Sequence, residues 1–257
     1  MTNNIAQAAV RRDRNIVLTG LAAVIFAATL YTINMAGQFN KPMDIALMPT
    51  THSGGLGGQS FLMLFSMWTV MQVAMMSPTA VPMILLYVKI ERHRQPQRLP
   101  FFRIALFFLG YVILWAIFSA VFAVTQIGLH SAELLSPTMA STSPWLSGGI
   151  LIAAGLFQFS SLKQACLKQC RSPVTYLMTE WRDGRSGALR MGLLHGVHCV
   201  GCCWVLMALL FVAGVMNLFW MAVITAFVLI EKLTAGGEVF GRIVGVGLII
   251  WGIVIII

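Results

Sequence analysis

Residues 191–213 read "MGLLHGVHCVGCCWVLMALLFVA", a run without a single charge. A helix crosses the hydrocarbon core of a bilayer with about 20 apolar residues, so this run is long enough to span. Within it, His195, His198, Cys199, Cys202 and Cys203 fall inside nine positions. Five soft-metal or redox side chains on one apolar helix demand a reason beyond packing. Polar and ionisable groups at membrane depth face the bundle interior and are functional candidates by default.

The rest of the chain has the same character. Of its 257 residues, 58% are hydrophobic and 10% are charged, whereas soluble domains carry roughly a quarter charged residues. The apolar runs lie at about 16–36, 61–88, 104–127, 146–162, 191–213, 217–233 and 243–257. They predict an all-α fold, a polytopic transmembrane bundle of about seven helices forming one membrane domain over 1–257. The first run follows Arg11, Arg12 and Arg14 as a secretory signal would. At about 21 residues it is too long for a signal core, and no small-x-small cleavage site follows, so it is expected to stay as an anchor.

Charge placement orients the bundle. With the N-terminus cytoplasmic and the C-terminus exoplasmic, 16 of the 17 basic residues fall on the inner side and only Lys41 falls outside. Cytoplasmic loops carry such an excess of Lys and Arg. The net charge of +9 is thereby a topology signal, and no nucleic-acid partner is needed to explain it. The expected surroundings are the lipid of a bacterial inner membrane.

Between the runs, the Gly-rich 37–60 segment ("HSGGLGGQS") and the 128–145 segment are expected outside, with "SAELL" as a short interfacial helix. "KIERHRQPQRLPFFR" is expected as a basic inner turn, and 163–190 as the longest inner loop. "GRIVG" at 241–245 offers small residues for close helix packing. No internal repeat suggests an inverted-repeat transporter. No dinucleotide fingerprint, phosphate loop, Ser-His-Asp arrangement or H-E-x-x-H motif is visible, so hydrolase and NTPase readings lack support.

Three constellations carry chemistry. On the 191–213 helix, a rotation of about 100° per residue puts His195, His198, Cys199 and Cys202 within an arc of roughly 100°, with Cys203 about 40° beyond. At about 1.5 Å per residue, Cys199 lies some 13 Å past Arg190, near the bilayer midplane. Thiolate and imidazole suit Cu(I), and also zinc and iron centres. Second, "QACLKQCRSP" places Cys166 and Cys170 four apart on one helical face, among Lys163, Lys168 and Arg171, which favour thiolate. Third, Met63, Met67, Met71 and Met75 recur at i+4, followed by Met76 and Met83. Methionines at that spacing ordinarily fill gaps in a core, but thioethers also select Cu(I). Pro78 and Pro82 each remove an amide donor, so a kink or opening of this helix near mid-membrane is expected.

The motifs "AMMSPTAVPM", "LKQACLKQCRSP", "HCVGCCWVLM" and "GVMNLFWM", with Glu231-Lys232 beyond, resemble a widespread bacterial family of integral membrane proteins. That family is labelled a domain of unknown function, "predicted metal-binding". The resemblance covers roughly residues 60 to 235. It implies signature roles for Met75, Met76, Pro78, Pro82, Cys166, Cys170, Cys199, Cys202, Cys203, Asn217, Glu231 and Lys232. It also implies that His198, where the family often has an aromatic residue, ranks below Cys199 and Cys202 as a ligand.

The favoured expectation is a membrane protein that binds a soft transition metal, Cu(I) first and zinc or iron next, for handling, delivery or passage. Its candidate ligands are Cys199, Cys202, Cys203, His195, His198, Cys166, Cys170, Met71, Met75 and Met76. Glu231 is expected near His195, orienting its imidazole as a hydrogen-bond partner. A metal chaperone or a membrane metalloenzyme is the expected partner, and a homo-oligomer is compatible with the sequence. Two alternatives stay open. Cys199-Val-Gly-Cys202 has the C-x-x-C spacing of a thiol–disulfide oxidoreductase, with Cys166/Cys170 as a second pair. The chain could instead be an assembly or structural subunit of a membrane oxidase.

Overall fold

The structure is a computed structural model that describes residues 2–39, 58–94, 101–136 and 139–257. Most of the expected outer Gly-rich segment and the middle of the basic inner turn lie outside the described residues. The elements are α1 (Thr2–Phe39), α2 (Gly58–Arg94), α3 (Phe101–Ser131), α4 (Pro144–Phe157), α5 (Ser161–Arg171), α6 (Pro173–Glu180), α7 (Gly184–Ala208), α8 (Leu210–Ala213), α9 (Leu218–Leu233) and α10 (Gly237–Ile256). No strand occurs among the described residues; Leu135 and Ser141 form one isolated antiparallel bridge.

Five stretches are long and apolar enough to cross a membrane: Arg11–Gly37, Phe61–Arg94, Phe101–Ser131, Gly184–Ala213 and Gly237–Ile256. A sixth is a broken pair, α4 and α5, bent by 62°. That makes five candidate spans, or six with the broken pair, against about seven expected, and the difference falls at two places. The run 146–162 is not one rod, because α4 ends at Phe157 and the Ser160 hydroxyl caps a new helix by accepting from the Lys163 amide at 3.2 Å. The run 217–233 forms α9, which at 16 residues is short of the roughly 20 that a span needs.

Three other expectations change. The 163–190 segment is not a loop but the helices α5 and α6 and the first turns of α7. "SAELL" is no separate helix: α3 runs to Ser131, and the chain then turns through Glu133, whose φ is +58°. The proline break does not open α2, which passes unbroken through Pro78 and Pro82. Beside the prolines, the Thr79 and Tyr111 hydroxyls donate to the Met76 carbonyl at 2.8 and 2.9 Å, which ties α2 to α3 at this depth.

Glycines set the two closest helix pairs. A methyl group at Gly192 of α7 would collide with the Phe107 carbonyl of α3, and one at Gly110 with the Leu189 carbonyl of α7. Small residues let membrane helices approach backbone to backbone, and this seam carries Tyr111 against α7. Between α4 and α10, Gly148, Gly155, Gly245 and Gly252 act in the same way. Gly245 belongs to "GRIVG" and faces Gln158 and the Gly155 carbonyl, while Gly241 faces the Glu231 carboxylate. Ion pairs tie the helix ends: Arg92 to Asp13 at 2.9 Å, and Arg103 to Glu91.

Two of the sixteen basic residues assigned to the inner side, Lys163 and Lys232, are buried at 0% and 6% exposure. Their positions answer to the partners described below and not to the membrane surface, which leaves fourteen to carry the charge bias.

Candidate functional site

The site grows from the buried face of α7, along which Met191, His195, Cys199, Cys202, Cys203, Leu206 and Met207 are all buried. Cys199 is the meeting point of four helices. From α9, the Lys232 ammonium donates to Cys199 Sγ at 2.9 Å and to Thr79 Oγ1 at 3.2 Å. From α3, the Tyr111 hydroxyl lies 3.2 Å from the same sulfur. From α2, Thr79 Oγ1 stands 3.9 Å away. Lys232, Thr79 and Tyr111 are all buried, and Cys199 is fully enclosed. The Cys202 and Cys203 thiols donate to the Cys199 carbonyl at 3.1 and 2.9 Å, which folds both onto their own helix.

Helix α5 supplies the other two cysteines. A methyl group placed on Gly201 would lie 2.6 Å from Cys166 Sγ, so Gly201 makes room for that sulfur. Cys170, one turn on from Cys166, is half-buried and packs against the core that includes Cys199 and Cys202. The five cysteines are all free thiols. One turn before Cys166, the Lys163 ammonium donates to Glu231 of α9 at 2.8 Å and to the Gln158 side-chain carbonyl. Lys163, Gln158 and Glu231 are all buried. Arg171 closes the same end of α9 by donating to the Thr234 and Ala235 carbonyls, each at 2.8 Å.

His195 is buried among rings, with centroids 5.6 Å from Tyr111, 6.1 Å from Phe107 and 5.8 Å from Tyr176. Its Nδ1 has no hydrogen-bond partner. The carboxylate expected to hold it, Glu231, is instead engaged by Lys163. The difference has a simple cause: a buried ammonium is a stronger claimant on a carboxylate than a neutral imidazole. His198 is half-buried and edge-on to Tyr176, with centroids 5.9 Å apart. Tyr176, on the short α6, donates to the Met191 carbonyl at 2.6 Å, and burial pushes its phenol above the ordinary range.

Met71, Met75 and Met76 are buried, as are Met67 and Met83, whereas Met63 is exposed. Met76 meets the site through its carbonyl, as described above. Among the described residues, no three His, Cys, Asp or Glu side chains converge as a ready-made metal site. Gln72, Ser77 and Trp115 also carry buried polar atoms without a hydrogen-bond partner.

Lys232, a signature position by the family resemblance, and Lys163, expected only as a basic neighbour of Cys166 and Cys170, join the site, as do Tyr111 and Thr79, which the sequence did not single out. Lys232 had a visible signal, being a cation at the end of an apolar run, but the same signal serves as a topology charge. Tyr111 and Thr79 look like ordinary members of apolar helices.

An all-helical chain with several membrane-length helices and a buried thiol held by a lysine is the class of protein that fold and site define. By sequence the chain belongs to the PpoB2 family of copper chaperones, whose model matches residues 65–255. The match begins within α2 and takes in every residue of the site. No curated protein and no solved structure matches the chain.

Proposed function

We propose that this protein is a membrane-embedded copper chaperone that takes Cu(I) as cargo on the thiols of Cys199 and Cys202. The observation that carries the reading is the buried Cys199 sulfur with an ammonium 2.9 Å away, one turn from Cys202. Cu(I) is satisfied by two or three soft ligands, whereas structural Zn(II) wants four in a tetrahedron. On arrival, Cu(I) draws the Cys202 thiol off the Cys199 carbonyl and both thiols give up their protons. Cys203, Cys166 and Cys170 are further thiol donors for handing the ion along the α5–α7 contact. His195 is an alternative donor through its unpartnered nitrogen, with His198 behind it. Met71, Met75 and Met76 are the thioether donors from α2.

The chaperone sits in a bacterial inner membrane with its N-terminus cytoplasmic, as the fourteen remaining basic residues favour. Its cargo passes to a membrane metalloenzyme or to another chaperone. The approach of Cys166 on α5 to Gly201 on α7, next to Cys202, favours one second reading, dithiol exchange between α5 and α7. Atmospheric oxidation followed by mass mapping of disulfides separates the two.

The deciding experiment is competition with a chromophoric Cu(I) chelator on purified protein. Wild type is expected to hold one Cu(I), and the Cys199→Ser, Cys202→Ser double variant to hold none at the same chelator concentration. Equal retention by the two proteins, or zinc at one equivalent with no copper, ends the copper reading.

A further inference from the structure

We propose that Lys232 selects the charge of the metal that Cys199 accepts, favouring a monovalent over a divalent ion. The inference rests on the copper-cargo reading and adds a residue that discriminates among metals. Lys232 is 6% exposed and has Cys199 Sγ and Thr79 Oγ1 as its partners, at 2.9 and 3.2 Å. Its neighbour in sequence, Glu231, is already held by Lys163 at 2.8 Å. Lys163 and Glu231 cancel as a pair. Among the described residues Lys232 is therefore a buried cation with no carboxylate at ion-pair distance, and the atom it faces is the sulfur proposed to take the metal.

Charge balance then separates the candidate metals. Two thiols that give up their protons to a metal contribute two negative charges. With Cu(I) the centre carries one negative charge, and the adjacent ammonium makes the assembly neutral. With Zn(II) the two-thiolate centre is already neutral, and the ammonium becomes an uncompensated positive charge. An unpaired charge in a buried site is strongly disfavoured. A third thiolate would restore neutrality for Zn(II), but Cys202 and Cys203 both bond to the Cys199 carbonyl, at 3.1 and 2.9 Å, so each further thiol recruited costs one more such bond and the two-thiol centre costs the fewest. Lys232 thus works by its charge, without touching the metal.

The position of the ammonium is fixed rather than incidental. Lys232 lies in the last turn of α9. That turn is held by Lys163 on Glu231 and by Arg171 on the Thr234 and Ala235 carbonyls. Tyr111, on the far side of the seam, contacts the same sulfur at 3.2 Å and limits where a metal can approach.

The test compares Cu(I) and Zn(II) affinities, by chelator competition, for wild type, Lys232→Met, Lys232→Gln and Lys232→Arg. Loss of a residue that tunes a ligand from behind typically costs roughly 10- to 100-fold in metal affinity. Lys232→Met is expected to lose about that factor for Cu(I) while Zn(II) binding holds or strengthens, so the preference ratio falls at least as far. Lys232→Arg keeps the charge and should keep the ratio. Lys232→Gln, neutral but polar, should follow the Met variant, and serves if that variant does not fold. Equal weakening of both metals, or an unchanged ratio in the neutral variants, overturns the role of Lys232 alone. A wild type that takes no Cu(I) overturns the cargo reading first and this inference with it.

Discussion

Glu231 and Lys232 are consecutive residues of α9, and both are buried, yet their surroundings differ in kind. Glu231 meets an opposite charge, Lys163, and a second polar partner of that lysine, Gln158. Lys232 meets a sulfur and a hydroxyl and, among the described residues, no carboxylate at ion-pair distance. The first contact is complete within the protein, whereas on the proposed reading the second is completed by a monovalent ion on the thiols. The two should therefore fail differently when they are broken.

Glu231→Gln is expected to have the largest effect on stability. It leaves Lys163 as a buried cation with only amide partners, and breaking one side of a buried pair costs about 3–5 kcal/mol. Thermal unfolding in detergent should show a large loss. Removing both charges, with Lys163→Met and Glu231→Leu together, should recover most of it, since apolar replacement of a buried pair is often neutral. If the double variant is as unstable as the single one, the pair is needed for more than charge balance. The comparison also requires the folded fraction of the double variant to keep its copper.

Gly241→Ala ranks next. A methyl group there would collide with the Glu231 carboxylate oxygen and lie 3.3 Å from Gln158 Oε1. Overpacking of this kind costs about 1–3 kcal/mol. Because the added group presses on Glu231 and leaves Cys199 alone, unfolding should shift while the Cu(I)-to-Zn(II) preference stays put. A changed preference with unchanged stability would mean that the two neighbours on α9 are not separable.

How much of this was legible in sequence follows from the range of each contact. The span around 191–213 and a buried face through His195, Cys199 and Cys202 rest on local periodicity, and α7 with the short α8 carries them. However, His198, expected on that arc, is half-buried, and Cys203, expected beyond it, is fully buried. The small residues of "GRIVG" likewise announce close packing, and Gly245 provides it against α4. Hydropathy alone could not separate 146–162 into α4 and α5, because the decisive event is one hydroxyl, Ser160, capping a helix. The partners of Cys199 were out of reach: Lys232 is 33 residues away, Tyr111 is 88 and Thr79 is 120. The same limit misassigned Glu231 to His195, since the nearer claimant, Lys163, appeared to belong to a loop. The apolar pattern reports which face is buried, but partners across the bundle are set by how α2, α3, α7 and α9 pack together.

The smallest effect is expected from Thr79→Val, which probes the Lys232 side of the comparison without removing the charge. Thr79 Oγ1 accepts from Lys232 at 3.2 Å and donates to the Met76 carbonyl at 2.8 Å. Valine keeps much of the shape but loses both bonds, so stability should fall by about 1 kcal/mol. The ammonium keeps Cys199 at 2.9 Å, so its charge remains beside the sulfur. Cu(I) affinity should accordingly change far less than in Lys232→Met, and the preference over Zn(II) should survive. That ordering separates charge from placement. If Thr79→Val lowers the Cu(I) preference as far as Lys232→Met does, the hydroxyl that steers the ammonium matters as much as the ammonium itself. Lys232 would then act through a fixed geometry rather than through its charge.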